Sequence, residues 1–172
     1  WVTIPLALHG VVAKKDGTRV NIVVGEDEDD PVLCISDLLI HLSREQMSKT
    51  AATVIDGEAL NVIVGGRPVK GEEKDAVKAG VLAILKEKYG VEEEDFLSAE
   101  IEVVPAGKSR DMGLDRSMIL GYGHDDRVCA FPSLDAIFSL TETPETTCCC
   151  LLADKEEIGS VGATGMRAHY FE

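Results

Sequence analysis

A period-two alternation of apolar residues is the feature that most constrains the fold, because successive side chains of a β-strand point to opposite faces. The first two alternating runs are Ile4, Leu6 and Leu8, and then Val20, Ile22 and Val24. Between them lies Asp16-Gly17, a dipeptide that favours a tight turn since both positions tolerate positive φ. Residues 2–25 are therefore predicted to form a β-hairpin.

Three more strands are predicted before residue 107. They are the short apolar segment 32–35, the alternating segment 60–64 that Gly65-Gly66 closes, and the alternating run 97–103 that Pro105 ends. Segment 37–41 is apolar with a polar residue at either end, and the sequence leaves its structure open.

One helix is predicted at residues 72–90, where the apolar period changes. Its apolar positions Val77, Val81, Ile84 and Leu85 fall on one helical face. The start of the segment holds three acidic residues and its end holds two lysines, an order that suits the helix dipole: Glu72, Glu73 and Asp75, then Lys86 and Lys88. Gly90 is a plausible C-cap. Residues 1–107 are therefore predicted to be a mostly β domain with one helix.

The remaining residues, 108–172, have a different character. A helical spacing of apolar residues runs through 126–140, and we expect Pro132 to interrupt it. The continuous apolar run 148–153 is typical of a strand buried on both faces. A helix followed by a buried strand is one crossover of an α/β sheet, so the chain as a whole is predicted to be α/β.

The charge of the chain excludes some classes of partner. Its 172 residues carry 17 basic and 31 acidic side chains, for a net charge of −14. Such a surface repels nucleic acid and anionic membranes, so neither is expected as a partner. No apolar run approaches the roughly 18 residues of a membrane-spanning helix, and we see no signal peptide, so we expect a soluble, cytoplasmic protein. Because the chain opens with Trp1 and ends just after a glycine-rich segment, we expect it to be an internal piece of something larger.

Three of the five cysteines, Cys148 to Cys150, are consecutive. Neighbouring residues of a strand point to opposite faces, which suits reduced thiols better than a disulfide framework. A metal or redox site built on these thiols is the weaker alternative, since zinc-binding cysteines are usually separated by two residues. We interpret the run as part of the buried strand.

Two glycine-flanked acidic segments are the candidates for chemistry. Segment 154–165, with Glu156-Glu157 near its start, follows the predicted buried strand, where ligand sites of α/β sheets gather. Segment 121–127 brings Asp125 to the start of a helix. Each has a plainer interpretation, since an aspartate there is often a cap and a Glu-Glu pair is often solvated surface. The glycines do not have the spacing of a phosphate-binding loop. Composition and spacing predict no reaction.

These segments resemble the aspartyl-aminopeptidase family of two-zinc aminopeptidases. Residues 154–160, Asp-Lys-Glu-Glu-Ile-Gly-Ser, look like the family's Asp-x-Glu-Glu-x-Gly-Ser signature. Residues 123–131 resemble its segment with the metal-bridging aspartate, about thirty residues earlier. Residues 1–12 look like the entry into the family's second domain, and residues 35–42 are similar to a segment within that domain. The resemblance therefore runs along nearly the whole chain.

The resemblance implies a metalloaminopeptidase that removes N-terminal residues, often acidic ones, from peptides by means of two zinc ions. Asp125 would bridge the two metals, and Glu157 would bind one of them. Glu156 would be the general base that takes a proton from the metal-bound water. Residues 1–107 would be the second domain, which assembles homo-oligomers, and 108–172 would be part of the catalytic domain.

His41 matches a family histidine that reaches a neighbouring subunit's active site, which would make it catalytic. An ordinary histidine at the end of a short apolar segment is an equal alternative. The family's remaining metal ligands lie upstream and downstream of the matched segments, and Asp37 stands where members often have histidine. We therefore expect the 172-residue chain to be an incomplete, inactive fragment. The alternative function is a non-catalytic assembly module working through sheet edges and the predicted helix at 72–90.

Overall fold

The structure is a computed structural model that describes residues 3–172. Its strands and helices, in chain order, are β1 (Leu6–Ala13), β2 (Arg19–Val24), β3 (Cys34–Ile35), α1 (Arg44–Met47), β4 (Val62–Ile63), α2 (Ala76–Tyr89), β5 (Ala99–Pro105), β6 (Arg110–Met112), β7 (Met118–Leu120) and α3 (His124–Phe138). Three short 3₁₀ helices cover Gly57–Ala59, Glu93–Ser98 and Glu156–Ile158. This mixture of helices and antiparallel strands agrees with the predicted α/β class.

The chain divides into two compact units, Trp1–Lys108 and Ser109–Glu172. That the first serves assembly and the second catalysis stays a prediction. Among residues 3–172, no helix combines the length and the apolar character needed to cross a membrane.

An antiparallel sheet in the order β2-β1-β5 forms the body of the first unit. The predicted hairpin is confirmed as β1 and β2, although Val2 lies outside the described residues. Its turn closes through the Lys14 amide, which donates to the Thr18 carbonyl at 2.8 Å, and Gly17 adopts the positive φ of 87° that the turn requires. Alternation therefore identified both strands, and the side chains of Val12 and Ile22 lie on their shared buried face.

The core of this unit consists of Val12, Ile22 and Val91, all essentially fully buried. Val12 and Ile22 come from the inner face of the hairpin, and Val91 directly follows α2 and its cap. Two hydrogen bonds fix the end of α2 to the hairpin: Lys14 Nζ donates to the Gly90 carbonyl at 2.6 Å, and the Tyr89 hydroxyl donates to the Val23 carbonyl at 2.9 Å. The helix end and the sheet thus share one small core.

The predicted helix is confirmed as α2, but its predicted start is wrong. The helix begins at Ala76, so Glu72 and Glu73 lie before it and its first turn holds no acidic residue. Asp75 occupies the N-cap with a left-handed φ of 53°, and its side chain makes no capping hydrogen bond. At the other end, Gly90 is the left-handed C-cap that the sequence predicted, with φ of 64°.

Two predicted strands of the first unit are shorter than expected, and a third, β5, begins two residues later than predicted and includes Pro105. β3 and β4 pair through two residues each, so Val32 and Leu60 lie outside them. Leu97 belongs to the 3₁₀ helix before β5 and is 94% exposed. Alternation continues past the hydrogen-bonded residues in each case, because pairing ends where the neighbouring strand ends. Segment 37–41, left open by the sequence, forms no regular element and runs into a turn.

In the second unit, β6 and β7 form a hairpin and α3 follows. The expectation that Pro132 interrupts the helix is wrong, because α3 runs from His124 to Phe138 with Pro132 inside it. Proline removes one backbone donor and crowds the carbonyl four residues earlier. One turn of the helix is reinforced next to it, where the Ser133 hydroxyl donates to the Cys129 carbonyl at 2.8 Å.

The prediction of a buried strand at 148–153 is also wrong, and with it the predicted crossover. These residues form no strand, Leu152 is 51% exposed, and the cysteines are free thiols, with Cys148 and Cys149 exposed. A strand buried on both faces needs a paired strand at each edge. Within residues 3–172 this stretch is followed only by an isolated parallel bridge between Asp154 and Gly165.

Among the described residues, every buried apolar side chain belongs to the first unit. In the second unit, the apolar residues that share one face of α3 are exposed: Val128 63%, Phe131 70%, Leu134 40% and Phe138 78%. Helices owe most of their stability to packing of such a face, and a 15-residue helix alone is marginal in water. The second unit therefore lacks the apolar burial that holds the first together.

Replacing Ile22 with alanine tests the core of the first unit. We expect Ile22→Ala to lower the free energy of unfolding by about 3 kcal/mol, since it removes buried methyl groups and leaves a cavity. The control is Val23→Ala on the opposite face, where the side chain is 45% exposed, and it should cost under about 1 kcal/mol. Urea unfolding followed by circular dichroism measures both, and equal losses would contradict the assigned core.

Asp30 gives the first unit a dependence on pH. Its carboxylate accepts the Gly25 amide at 3.1 Å and lies 3.5 Å from Lys88 Nζ. The hydrogen bond from the Gly25 backbone, aided by the Lys88 charge, holds the pKa of Asp30 below its ordinary value. A lowered pKa in the folded state stabilises the fold above the ordinary pKa, and this contribution is lost as pH falls through the lowered value.

We therefore expect Asp30→Asn to reduce the loss of stability that occurs as pH falls below the ordinary pKa of an aspartate, 3.8. Asp29→Asn, at an exposed neighbouring aspartate, is the matched control. It should leave the fall in stability at acid pH unchanged. The measurement is the urea midpoint at a series of pH values. If the urea midpoints of the two variants fell in the same way at acid pH, the assigned role of Asp30 would be contradicted.

Hydrogen exchange tests the contrast between the two units. In the 172-residue chain, we expect amides in β1 to exchange slowly and amides in the second half of α3 to exchange at nearly the rate of an unstructured peptide. The reason is that the apolar face of α3 has no buried packing. Mass spectrometry of deuterated peptides measures both, and comparable protection in the two elements would show that α3 is stabilised in another way.

Candidate functional site

The Glu156-Glu157 pair lies on a short 3₁₀ helix, Glu156–Ile158, between two left-handed residues. Lys155 precedes the helix with φ of 66°, and Gly159 follows it with φ of 89°. The Gly159 amide donates to the Glu156 carbonyl at 2.8 Å, and the Ser160 amide donates to the Lys155 carbonyl at 2.7 Å. The two glutamates are thus held on a tight turn. We call residues 154–165 the Glu-Glu turn.

Asp154 and Thr164 close the base of the Glu-Glu turn. The Asp154 amide donates to the Thr164 carbonyl at 3.1 Å, and Asp154 also forms the parallel bridge with Gly165. The Thr164 hydroxyl donates to Asp154 Oδ2 at 3.4 Å, and Lys155 Nζ lies 3.3 Å from the same oxygen. The backbone amide of Lys155, more than any other group, holds the pKa of Asp154 below its ordinary value. Asp154 is therefore a structural anion beside the glutamates.

Gly165 is buried where the end of the turn crosses residues 160–161. A Cβ at this position would lie 2.6 Å from the Ser160 carbonyl carbon and 2.7 Å from the Val161 oxygen. The backbone continues to hold the crossing, since the Arg167 amide donates to the Ser160 carbonyl at 3.2 Å. Only glycine allows this close approach of two backbone segments.

The carboxylates of Glu156 and Glu157 are exposed, and neither has a hydrogen bond or ion pair with residues 3–172. Acidic side chains elsewhere on the chain do have such partners, as Glu92 does with Lys86 at 2.7 Å. The Glu-Glu turn therefore fixes the backbone of both glutamates while leaving their oxygens available to a ligand or a water molecule.

Asp125 lies in the first turn of α3, where the backbone amides are unpaired and a negative charge is favourable. The alternative of a helix cap does not apply, because Gly123 is the N-cap with φ of 75°. The turn before the helix is fixed by Arg127, whose guanidinium donates to the Tyr122 carbonyl. Asp125 is exposed. Its residue type and position suit an ion ligand as well as a partner of the helix dipole.

His41 lies in the first unit, in an exposed turn that follows segment 37–39. The Leu42 amide donates to the Leu39 carbonyl at 2.8 Å, and the buried Ser43 hydroxyl donates to the Ile40 carbonyl at 3.1 Å. The apolar side chains around the histidine face solvent, with Leu39 71% exposed. The structure thus presents His41 on a fixed turn, and its catalytic role stays a prediction.

Residues 3–172 do not by themselves make a complete zinc site. In the part of the chain that the structure describes, no three side chains among His, Cys, Asp and Glu gather into a group that could hold a metal ion. Zinc sites in proteins take at least three such ligands. Asp125 and Glu157 together supply two, so their assignment as ligands stays a prediction.

Sequence reasoning missed the residues that build the turn around the glutamates. Asp154, Thr164 and Gly165 lie within the segment that the sequence singled out, but none was assigned a role there. The available signal was a second polar residue and a glycine ten and eleven positions after Asp154. Such a closure is not readable from spacing alone, because loops of this length have no fixed register.

The chain is similar in sequence and in fold to known proteins along nearly its whole length. The model of the family described as aminopeptidase I zinc metalloprotease (M18) matches residues 1–172. The chain is 57% identical over 173 residues to a Clostridium acetobutylicum protein named "Probable M18 family aminopeptidase 1", across 100% of this chain and 37% of that protein. A Thermotoga maritima protein of the same name is 49% identical over 171 residues, across 99% of this chain and 37% of that protein.

Two crystal structures share the fold. Aminopeptidase I from Clostridium acetobutylicum superposes with a TM-score of 0.83 at 56% identity, across 99% of this chain and 38% of that one. The M18 aminopeptidase from Thermotoga maritima gives a TM-score of 0.85 at 49% identity, across 99% of this chain and 37% of that one.

These matches define the class of protein, a family described as zinc metalloproteases. The chain belongs to the M18 aminopeptidase family, which confirms the predicted resemblance. It spans 37% of the length of these curated relatives.

Proposed function

We propose that the chain is part of a zinc-dependent aminopeptidase that removes N-terminal residues, acidic ones among them, from peptides. The observation that carries the proposal is the Glu-Glu turn, in a chain that matches the M18 family over residues 1–172. The turn presents two exposed carboxylates that have no partner among the residues the structure describes. The proposed cofactor is a pair of zinc ions. The proposed substrates are peptides with a free N-terminus.

In this proposal Asp125 and Glu157 would be the two residues of this chain that hold zinc, Asp125 contacting both ions and Glu157 one of them. Both carboxylates are exposed, and neither has a partner among residues 3–172 with which a cation would compete. Because residues 3–172 do not complete a zinc site, the other ligands belong to the whole protein rather than to this chain.

Glu156 is the proposed general base. Its carboxylate accepts a proton from the water that attacks the scissile carbonyl and returns it to the leaving amine. A base with this role needs a free oxygen on a fixed backbone, and the Glu-Glu turn provides both. The adjacent residue on the same short helix, Glu157, points in a different direction, since successive residues of a 3₁₀ helix are about 120° apart. Two neighbouring carboxylates can therefore hold different roles.

A hybrid enzyme tests this proposal. Residues 1–172 replace the matching segment of the Clostridium acetobutylicum relative, which is 57% identical over it. We expect the hybrid to hydrolyse an aminoacyl p-nitroanilide and to retain zinc. The 172-residue chain alone should do neither, because it offers too few ligands. Hydrolysis by the isolated chain would contradict the expectation that it is incomplete.

Within the hybrid, Glu156→Gln separates catalysis from folding. We expect kcat to fall by at least about 100-fold, as general-base catalysis typically contributes that much, with zinc content unchanged. Glu145→Gln is the matched control, since Glu145 is an exposed glutamate of the same unit that has no partner among residues 3–172. A Glu156→Gln hybrid as active as the Glu145→Gln hybrid would remove Glu156 from the mechanism.

Self-association through the first unit is the second proposed function. Leu38, Leu39, Ile40 and Leu42 are 57–71% exposed in one continuous segment, an arrangement that single chains in water rarely keep uncovered. His41 lies within this segment, so assembly and the proposed catalytic role of His41 in a neighbouring subunit share one surface. Light scattering measures the mass of the assembly that the hybrid forms. We expect Leu39→Asp to lower this mass. Leu97→Asp, at another exposed leucine of the first unit, should leave it unchanged.

A further inference from the structure

The Glu-Glu turn is closed at its base by a contact two residues before the glutamates. Asp154 and Thr164 are ten residues apart and meet through a backbone hydrogen bond of 3.1 Å and a side-chain hydrogen bond of 3.4 Å. Beyond them, Gly165 crosses residues 160–161 at a distance that admits no Cβ. We call the contact between Asp154 and Thr164 the clamp.

The backbone inside the clamp would not keep its shape unaided. Four of its residues have positive φ: Lys155, Gly159, Ser160 and Gly162. For Lys155 and Ser160, which carry a Cβ, the left-handed conformation is unfavourable because the Cβ lies too close to the following carbonyl oxygen. Residues stay in such a conformation only when the surrounding contacts determine it. Here those contacts are the clamp and the hydrogen bond from the Ser160 amide to the Lys155 carbonyl.

The direction of the glutamates depends on this backbone alone. Glu156 and Glu157 have no partner among the described residues that would orient their side chains. Their Cα–Cβ directions are therefore set by the 3₁₀ helix, and the 3₁₀ helix is set by the flanking left-handed residues. A change at the clamp displaces both carboxylates without touching either.

We infer that Thr164, acting with Asp154, is a positioning residue for Glu156. Its hydroxyl closes the Glu-Glu turn and fixes the direction from which the carboxylate reaches the attacking water. This inference rests on the proposed function, since it presumes that Glu156 is the general base. It extends the reacting machinery to a pair of residues that do not contact the substrate.

Thr164→Val in the hybrid enzyme is the first test, because valine keeps the shape of threonine and removes the hydroxyl. We expect kcat to fall about 10- to 100-fold, the usual effect of misplacing a reacting group by about 1 Å, with KM within about threefold. Thr164→Ser restores the hydroxyl and should restore kcat to within about threefold. Equal losses in the two variants would overturn the inference.

The second test asks whether Thr164 acts through Glu156. In a Glu156→Gln background we expect Thr164→Val to change kcat by less than about twofold, since residues that act as one unit are not additive. A full loss in that background would mean that Thr164 acts elsewhere, and the inference would fail.

A third measurement does not depend on activity, and so separates the clamp from the proposed function. In the 172-residue chain, the Gly159 and Ser160 amides should exchange with deuterium about tenfold more slowly than in an unstructured peptide, because both donate hydrogen bonds within the turn. Thr164→Val should abolish this protection and Thr164→Ser should keep it. An unprotected turn, or protection that survives Thr164→Val, would overturn the clamp. An inactive hybrid with a protected turn would overturn the proposed function alone.

Discussion

The burial of Val12, Ile22 and Val91 against one another is the contact on which the described fold most depends. Two of these residues come from a hairpin and the third from the end of a helix more than sixty positions away. This one cluster decides which face of the hairpin is inner and where α2 stops. The hydrogen bonds from Lys14 and Tyr89 lie at its margin and fix the direction of approach rather than supplying the main stabilisation.

The second unit shows what happens without such a cluster. Its organisation comes from backbone hydrogen bonds within a hairpin, a helix and the Glu-Glu turn, while none of its apolar side chains is fully buried. Hydrogen bonds exchange one polar partner for another and contribute little net stability, whereas apolar burial contributes much. The proposed catalytic residues Asp125, Glu156 and Glu157 all lie in this unit. In this unit, hydrogen bonds hold the backbone of the Glu-Glu turn, but little apolar packing supports the residues around it.

The sequence predicted those elements whose cause is local. Alternation around Ile22 identified the hairpin, and Gly90 marked the end of α2, because each signal arises within a few residues. The prediction of a buried strand at 148–153 was wrong because an apolar run shows only that a segment can be buried. It does not show which other residues cover it. The prediction that Pro132 interrupts the helix was wrong because the cost of a proline in a helix depends on the turn around it. Of the site, the sequence predicted the two acidic segments and missed Asp154, Thr164 and Gly165, which form a closure over ten residues.

The glycines of the Glu-Glu turn are required for two different physical reasons. Substitution by a residue of the opposite chirality distinguishes the two reasons. Gly159 and Gly162 have a φ of 89° with open space where a Cβ would project, so the restriction there is the chirality of the natural amino acids. A D-alanine introduced by peptide ligation favours positive φ and would fit both positions. Gly165 is restricted by the backbone atoms of Ser160 and Val161, which chirality does not remove. A mirror-image residue therefore distinguishes a turn that needs a backbone conformation from a crossing that needs room.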